Sequence, residues 1–266
     1  MEKNPSSELL IRQLADLIIE SKRIVVFTGA GVSTESGIPD FRSPDGIWTK
    51  YDPEDFTYQK FVSGKEARKK MYFMLEESGL LTGSKPNPAH YAVVELEKMG
   101  KLDCIITQNV DGLHQIAGNS EDKVFQLHGN MIWAVCLDCK KRYHLDNVID
   151  RVKQGDDDPR CEKCSGILKP DGVYFGEALP QRELSEATSR SAKCDLFIVI
   201  GSSLVVYPAA YMPTYAVNAG VKLVIINRDH THMDSACQIR IHDSAGETMS
   251  KVMKIVRKKI KGSIEK

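Results

Sequence analysis

Residues 29–42 read GAGVSTESGIPDFR and follow directly on the apolar run Ile24–Phe27. A β-branched run that breaks into Gly-x-Gly is typical of a strand whose end lets a phosphate approach bare backbone. Thr34 replaces the third glycine of the dinucleotide fingerprint, and the carboxylate expected about 20 residues later to hold a ribose has no clear candidate on a second strand. We therefore expect a nucleotide site, but not that of an ordinary NAD dehydrogenase. The turn Pro39–Arg42 sets a carboxylate, an aromatic ring and a guanidinium together, which favours chemistry on the nucleotide.

Further short apolar runs predict buried parallel strands, because they are brief and rich in β-branched residues. They are Cys104–Thr107, Val124–Leu127, Leu196–Ile200, Leu223–Ile226 and, more weakly, Ile239–Ile241. Helical patterns lie between them, as at Pro88–Lys98 and Pro208–Ala219. This alternation favours an α/β fold with a doubly wound, Rossmann-like parallel sheet.

The predicted strands end in polar or glycine-rich residues. In an open parallel sheet such ends line the ligand crevice. The ends are Gly29, Gln108–Asn109, His128–Gly129, Gly201–Ser203 and Asn227. We therefore expect these side chains, distant in sequence, to converge on one site.

Two stretches interrupt the alternation and predict a smaller domain inserted into the larger one. Residues 47–81 are rich in aromatic and charged side chains and predict a helical insert. Residues 131–167 carry paired cysteines and predict a zinc-binding insert. The Rossmann-like nucleotide-binding domain is then expected to comprise residues 1–46, 82–130 and 168–266.

Composition and charge argue against several classes of partner. The formal net charge is +0, so no electrostatic reason exists to expect a nucleic acid or an anionic membrane. No apolar run reaches the roughly 18 residues of a membrane span, and Met1–Pro5 does not lead into a signal-peptide core. Seven cysteines, an odd number that includes two Cys-x-x-Cys pairs, favour metal-bound thiolates over disulfides. We expect a cytoplasmic monomer.

The two cysteine pairs, Cys136 with Cys139 and Cys161 with Cys164, predict one Zn²⁺ site. Each pair places two thiolates on one tight turn, and four soft ligands suit tetrahedral zinc. Residues 140–160 separate the pairs, slightly more than the usual spacing. With all four positions filled by protein, the metal is expected to be structural. Redox-active or unpaired cysteines are the less favoured alternative.

Several segments, in a fixed order along the chain, closely resemble the sirtuins, the NAD-dependent protein lysine deacylases. The cysteine pairs lie between the third and fourth of these segments, and the resemblance covers roughly residues 20–250. The ordered set is far more specific than any one segment. The segments are residues 29–42, Thr107–His114, Leu127–Asn130, Lys169–Glu177, Gly201–Ala210 and Ile226–Asn227.

The resemblance implies that NAD is consumed as a co-substrate. The acyl-lysine carbonyl oxygen attacks the anomeric carbon of the nicotinamide ribose, nicotinamide leaves, and the sugar then takes over the acyl group. The implied products are deacylated lysine, nicotinamide and 2′-O-acetyl-ADP-ribose. His128 resembles the general base that deprotonates a ribose hydroxyl, which suits a side chain that titrates near neutrality. By the same resemblance, Asn109 orders the ribose, Asp111 binds the nicotinamide carboxamide, and Phe41 covers the ribose.

The resemblance also implies contacts for the rest of NAD and for an acetyl-lysine protein or peptide. A substrate peptide would add a strand between two edges, and such main-chain pairing gives affinity with little sequence selectivity. The implied edges are Val173, Tyr174, Phe175 and Gly176 on one side and Val205, Val206 and Tyr207 on the other. The implied NAD contacts are Ala30, Gly31, Thr34, Asp40, Phe41, Arg42, Gln108, Asn109, Val110, Asp111, His128, Gly201, Ser202, Ser203, Asn227, Ser244 and Ala245.

Two other functions would use the same nucleotide site. Protein mono-ADP-ribosylation shares the first step, and the mass of the product peptide separates it from deacetylation. A non-catalytic NAD- or ADP-ribose-binding module would bind NAD without releasing nicotinamide. The presence of His128, Asn109 and Asp111 argues against such a module, because binding alone does not require that set.

The helical insert bears on the acyl group. Sirtuins that remove acidic acyl groups carry a Tyr-x-x-Arg pair there, and this chain lacks it, so we expect an apolar acyl group such as acetyl. The residues that follow Tyr51, Tyr58 and Tyr72 at that spacing are Glu54, Phe61 and Leu75. Trp48, Tyr51 and Phe56 favour a core of the insert. Five other apolar residues of the insert could equally form a plain core or line the entrance of the site. They are Phe61, Met71, Phe73, Met74 and Leu75.

Overall fold

The structure is a computed structural model that describes residues 6–77 and 83–264. Met1–Pro5 and the end of the predicted helical insert, residues 78–81, lie outside the described residues, as do residues 82 and 265–266. Every predicted site residue falls within the described ranges.

The described residues alternate between strands and helices. The strands are β1 Ile24–Thr28, β2 Leu102–Thr107, β3 Val124–Gln126, β4 Gly129–Cys136, β5 Arg142–His144, β6 Leu168–Gly172, β7 Leu196–Ile200, β8 Lys222–Ile226 and β9 Ile239–Ile241. The helices are α1 Ser7–Glu20, α2 Tyr58–Ser63, α3 Lys65–Glu77, α4 Pro88–Lys98, α5 Leu113–Ala117, α6 Leu145–Lys153, α7 Gln181–Ser191, α8 Met212–Asn218 and α9 Ala245–Ile264.

The large sheet has six parallel strands in the order β3-β2-β1-β7-β8-β9. The predicted strands are confirmed, with ends that differ by two residues at most. Side chains of β1 alternate between two cores, because successive residues of a strand point to opposite faces. Ile24 and Val26 pack with α1, α4 and α9, whereas Val25 and Phe27 pack with α7 and α8. The predicted doubly wound, Rossmann-like sheet is therefore confirmed.

Capping residues fix where helices of this sheet begin. The Ser6 side chain accepts from the Leu9 amide at the start of α1 (3.4 Å). The Asn87 side chain accepts from the Ala89 amide at 2.9 Å, so α4 begins at Pro88 as predicted. The predicted helix Pro208–Ala219 is shorter, because a single 3₁₀ turn precedes α8. None of the described helices is both long and apolar enough to cross a membrane.

A second, smaller sheet joins the helical insert to the cysteine-bearing segment. It has the order β5-β4-β6 and is antiparallel. Its inner face packs against α3 and α6 around a core that includes Phe61, Tyr72 and Leu168. Residues 168–172, which we placed in the larger domain, form β6 and pair with β4 in this small lobe. The predicted domain limits stay a prediction.

Candidate active site at the strand ends

The carboxyl ends of the large sheet open into one cavity of about 360 Å³ that also reaches the small lobe. Residues from all five predicted strand ends line it: Gly29, Gln108, His128, Gly201 and Asn227. Its volume lies in the range of small-molecule sites, about 300–1,000 Å³. The structure therefore brings together residues that are up to about 200 positions apart in sequence, as the convergence of parallel strand ends predicts.

Most of the predicted NAD contacts face this cavity, and three do not. Thr34 turns back, and its hydroxyl donates to the Gly31 carbonyl at 3.1 Å. Ala245 is 5% exposed and packs in the core at the start of α9, and Ser244 precedes it outside the cavity wall. The predicted contacts that line the cavity are Ala30, Gly31, Asp40, Phe41, Arg42, Gln108, Asn109, Val110, Asp111, His128, Gly201, Ser202, Ser203 and Asn227.

The glycines of the opening loop are required by contact between two stretches of backbone. A Cβ at Gly29 would lie 2.8 Å from the Gly201 carbonyl oxygen, and one at Gly31 would lie 2.9 Å from the Gly201 Cα. Gly201 has φ +63°, and a Cβ there would meet the Val32 nitrogen at 2.2 Å. The Gly31 amide donates to the Gly201 carbonyl at 2.9 Å. The loops after β1 and β7 therefore pack together mainly through backbone and form a wall of the cavity.

A buried serine joins the predicted catalytic pair Asn109 and Asp111. The Ser33 hydroxyl donates to Asp111 Oδ2 at 2.7 Å, and Asn109 Nδ2 donates to Ser33 Oγ at 3.1 Å. The other carboxylate oxygen of Asp111 accepts from the Leu113 amide at 2.9 Å and so shapes the Asp-Gly turn. Asp111 therefore serves the turn and the cavity together. Ser33 is fully buried, and sequence reasoning missed it although it lies inside the stretch quoted first.

Buried hydroxyls at the ends of β1 and β2 support Asn109 from below. Thr107 Oγ1 accepts from the Asn109 amide at 3.0 Å and from the Thr28 hydroxyl at 2.8 Å. Thr28 in turn lies 3.1 Å from His114 Nε2, which therefore donates to it. Burial, and then the neighbouring charge of His90, holds the pKa of His114 well below its ordinary value. His114 is thus a neutral, structural part of this network.

His128 stands at the cavity with one ring nitrogen occupied. Its Nδ1 lies 3.0 Å from the Gln108 carbonyl oxygen, so Nδ1 carries the proton and donates. That bond leaves the lone pair on Nε2, which is what a general base requires. Burial lowers the pKa of His128, and the bond to Gln108 opposes this effect only in part. The imidazole is therefore neutral and able to accept a proton at neutral pH.

The loop that carries Asp40, Phe41 and Arg42 is held by its own aspartate. Asp40 Oδ1 accepts from the Arg42 amide at 2.9 Å and from the Ser43 amide at 2.8 Å. The Phe41 ring packs against Trp48, with centroids 5.2 Å apart. Burial lowers the pKa of Arg42, an effect that the charge of Asp40 opposes. Asp40 thus positions the turn, and Phe41 and Arg42 face the cavity from it.

The two predicted peptide edges flank the cavity, and part of the first edge is already hydrogen-bonded. The Val173 amide donates to the His128 carbonyl at 2.8 Å, and the Phe175 carbonyl accepts from the Tyr58 amide at 2.9 Å. Tyr207 is 51% exposed and lines the cavity on the second edge, as does Val206. Val205, at 52% exposed, lies outside the cavity wall.

The apolar side chains of the helical insert serve as core and as cavity lining. Trp48 and Phe56 line the cavity as well as packing in the small lobe. Phe61 is 1% exposed and belongs to the core alone, whereas Phe73 is 39% exposed. Three residues both pack in the core of the small lobe and line the cavity: Met71, Met74 and Leu75.

The four predicted zinc ligands meet on one side of the small sheet. Their sulfur atoms all lie within 4.8 Å of one another, with Cys136 to Cys164 at 3.5 Å and Cys139 to Cys161 at 3.6 Å. Four thiolates around zinc, at about 2.3 Å each, are about 3.8 Å apart, so the group fits. A Cβ at Gly166 would lie 2.7 Å from Cys136 Sγ, so the turn leaves this space to the sulfur. The predicted four-cysteine site is confirmed as a fit for one structural zinc ion.

The fold and the cavity define a class, the Rossmann-like α/β proteins with an inserted four-cysteine lobe. The chain belongs to the Sir2 family, whose model matches residues 29–208. It is similar to an NAD-dependent protein deacetylase from Thermodesulfovibrio yellowstonii, with 46% identity over 248 residues that cover 93% of this chain and 95% of that protein. The family resemblance seen in the sequence is therefore confirmed.

Solved Sir2 structures share the whole architecture. One, a histidine-to-alanine variant with a deacetylated p53 peptide and 3′-O-acetyl ADP ribose, has a TM-score of 0.86 and 41% identity, covering 92% of this chain and 97% of that one. Another, Sir2 with a p53 peptide and NAD⁺, has a TM-score of 0.84 and 39% identity with the same coverage. The arrangement of sheet, cavity and small lobe is thus that of proteins solved with peptide and nucleotide.

Proposed function

We propose that this protein is an NAD-dependent protein lysine deacetylase that releases nicotinamide and transfers the acetyl group to ADP-ribose. The observation that carries the proposal is that His128, Asn109 and Asp111 line the same cavity at the strand ends. The similar proteins named as deacetylases, and solved with peptide, NAD⁺ and acetyl ADP ribose, support it. NAD supplies a sugar carbon that becomes reactive when nicotinamide leaves, and the protein supplies positioning, protection and a base.

In this proposal His128 removes the proton from a ribose hydroxyl. Its Nε2 carries the lone pair because Nδ1 donates to the Gln108 carbonyl, and burial keeps the ring neutral. When Nε2 takes the proton, the same backbone carbonyl stabilises the resulting cation. We assign the product as the 2′-O-acetyl isomer; the similar Sir2 variant was solved with the 3′-O-acetyl isomer.

The serine-linked pair supplies the positioning. We propose that Asn109, whose Nδ2 is oriented by its bond to Ser33, binds the ribose and a nearby water. Asp111 is proposed to bind the nicotinamide carboxamide. A rigid network suits this task, because a reacting group misplaced by about 1 Å costs about a hundredfold in rate. Asn109 is 9% exposed and fixed through both its backbone and its side chain.

We propose that the loop Asp40–Arg42 covers the site. Phe41 backs onto Trp48 and shields the ribose from water. Arg42 is exposed at the edge of the cavity, where a guanidinium suits a pyrophosphate. The acetyl-lysine peptide is assigned to the edges at Val173–Gly176 and Val205–Tyr207, with its side chain entering the cavity between them.

We also propose the cytoplasm as the compartment, because four free thiols that fit a metal must stay reduced. Fractionation of cells that produce the protein tests this assignment. The monomeric state stays a prediction, which light scattering of the purified protein checks.

Protein mono-ADP-ribosylation remains the second candidate because it would use the same cavity and the same first step. The two reactions differ in the fate of the peptide, which loses an acetyl group in one and gains ADP-ribose in the other. Mass spectrometry of an acetyl-lysine peptide incubated with the protein and NAD therefore decides between them.

The experiment compares wild type with His128→Ala and with a matched control, His144→Ala. His144 lies on β5 of the small sheet, is exposed and does not line the cavity. We expect deacetylation to fall about a hundredfold or more in His128→Ala, the scale of general-base loss, and to be unchanged in the control. Undiminished deacetylation in a folded His128→Ala protein would refute the assignment, and NAD binding without nicotinamide release by wild type would point to a non-catalytic module.

A further inference from the structure

A second group of metal-ligand side chains lies at the ends of two strands of the large sheet, whereas the four cysteines lie in the small lobe. His230 and Asp234 follow β8, and His242 follows β9. Their ligand atoms all lie within 4.8 Å of one another, although the first and last are twelve positions apart in the chain. The two imidazole rings meet edge to face, with centroids 4.6 Å apart. The proposed reaction uses none of these three side chains.

The His242 ring is already oriented as a ligand would be. Its Nδ1 lies 3.2 Å from the Arg228 carbonyl oxygen, so Nδ1 carries the proton and Nε2 carries the lone pair. Histidines that bind metals usually donate their other N–H to a backbone carbonyl or a carboxylate in this way. The backbone of the loop after β8 thus fixes both the tautomer and the ring plane of His242.

Asp234 has one oxygen committed to the protein and one turned toward His230. Oδ1 accepts from the Thr231 hydroxyl at 2.6 Å and from Arg240 Nε at 2.9 Å. Oδ2 lies 3.0 Å from His230 Nδ1. Burial raises the pKa of Asp234, but the bonds from Thr231 and His230 outweigh this effect, so the pKa lies below its ordinary value.

The positive charge next to the cluster, that of Arg240, pairs with Asp234 through Oδ1. Besides donating to Asp234 Oδ1, the oxygen that does not face His230, Arg240 donates to two backbone carbonyls. These are the carbonyl of Asn227, at 2.7 Å, and that of Asp229. The guanidinium of Arg240 is therefore held by backbone oxygens and Asp234 Oδ1. Asp234 Oδ2 is left to a ligand on the His230 side.

His230 has the freedom that a ligand needs. Its side chain is 86% exposed, so its proton can move to Nε2 in water and leave Nδ1 facing Asp234 as a donor atom. Around a tetrahedral zinc ion, nitrogen and oxygen ligands at about 2.0–2.2 Å lie about 3.4 Å apart. The three ligand atoms lie within 4.8 Å of one another, at most about 1.4 Å wider than that spacing, and small rotations of the side chains would close this difference.

We propose that His230, Asp234 and His242 form a solvent-accessible binding site for a divalent first-row transition metal such as Zn²⁺, Co²⁺ or Ni²⁺. Two imidazoles and one carboxylate suit these ions, and three protein ligands leave a position for water. An ion there would tie the loop after β8 to the end of β9. This site is chemically distinct from the four thiolates of the small lobe, and it does not depend on the proposed deacetylation.

The test uses Co²⁺ as the probe on protein whose cysteine site has first been filled with zinc and freed of excess metal. Cobalt bound to thiolates gives a strong sulfur-to-metal charge-transfer band, whereas cobalt bound to nitrogen and oxygen gives only weaker visible bands. We expect wild type to bind one further Co²⁺ for each chain, with visible bands and no sulfur band. Isothermal titration under the same conditions gives the affinity.

The variants are His242→Ala and His230→Ala, with His232→Ala as the matched control, an exposed histidine of the same loop that lies outside the cluster. We expect the affinity for Co²⁺ to fall at least about tenfold in the first two and to be unchanged in the third. Thermal unfolding without added metal shows that all three are folded. Wild type that binds no further Co²⁺, binding that shows only the sulfur band, or equal losses in all three variants would each overturn the proposal.

Discussion

The serine that joins Asn109 to Asp111 offers the sharpest test of how the candidate site is held. Ser33→Ala removes the hydroxyl that donates to Asp111 Oδ2 at 2.7 Å and accepts from Asn109 Nδ2 at 3.1 Å. The Ser33 side chain is fully buried, whereas Asp111 is half-buried at the cavity, so water replaces the lost donor at most in part. A hydrogen bond to a charged group contributes about 1.5–3 kcal/mol. We expect the free energy of unfolding to fall by that amount, and the melting temperature to fall by about 3–12 °C.

The enzymatic activity of Ser33→Ala gives a second, independent measurement. If the hydroxyl also holds Asn109 and Asp111 in position for NAD, the same energy lost from the transition state lowers kcat/KM for NAD by about 10- to 150-fold. Nicotinamide release with an acetyl-lysine peptide measures this value at a temperature where the variant is folded.

The matched control for this experiment is Ser235→Ala, an exposed serine outside the cavity, which should change the stability by no more than about 0.5 kcal/mol. A Ser33→Ala protein as stable as Ser235→Ala would show that the hydroxyl does not hold the Asp111 carboxylate. Lost stability with unchanged kcat/KM would limit Ser33 to a structural role.

Three further predictions follow from titrating groups and from the cysteines. Burial lowers the pKa of His128, so the acid limb of the kcat/KM profile should lie below about pH 6.5, the unperturbed value; a limb above it would contradict a base kept neutral by burial. Burial also lowers the pKa of His90, to about 4, despite the opposing charge of Asp111. Since the unfolded chain then takes up the proton first, stability should fall between pH 6.5 and pH 4 by at most about 1.4 kcal/mol per pH unit from this residue. Denaturant unfolding of wild type and His90→Asn tests this, and equal slopes would count against it. A strong chelator, or Cys139→Ser, should remove zinc and lower the melting temperature, because structural zinc contributes folding energy; a protein free of zinc with an unchanged melting temperature would show that the metal is dispensable.

The large sheet could be predicted from the sequence because its strands are buried on both faces. A strand such as Ile24–Thr28, which is buried at every position, appears in sequence as a continuous β-branched run. The small sheet gives no such signal. Its strand Gly129–Cys136 is only partly buried and includes the exposed Ile132, so neither a continuous run nor a clean alternation marks it.

In the candidate site, too, some residues could be predicted from the sequence and others could not. The strand-end rule and the family resemblance placed His128 and Asn109 at the cavity, since both depend on position along the chain. Ser33 could not be predicted, because its role depends on a contact with Asp111, 78 positions away. The family resemblance implies that Ala245 contacts NAD, whereas the first turn of a helix that packs on the sheet buries it.

The interlocked glycines constrain how this site can change. Because Gly29, Gly31 and Gly201 meet through main chain, a side chain added at any of the three would push apart the loops after β1 and β7. Variation in acyl group or peptide must therefore arise from the other walls, at the loop that carries Phe41 and at the small lobe. A homologue can change its substrate by exchanging side chains in those walls while its contacts with NAD stay the same. Substrate specificity can therefore evolve separately from the chemistry.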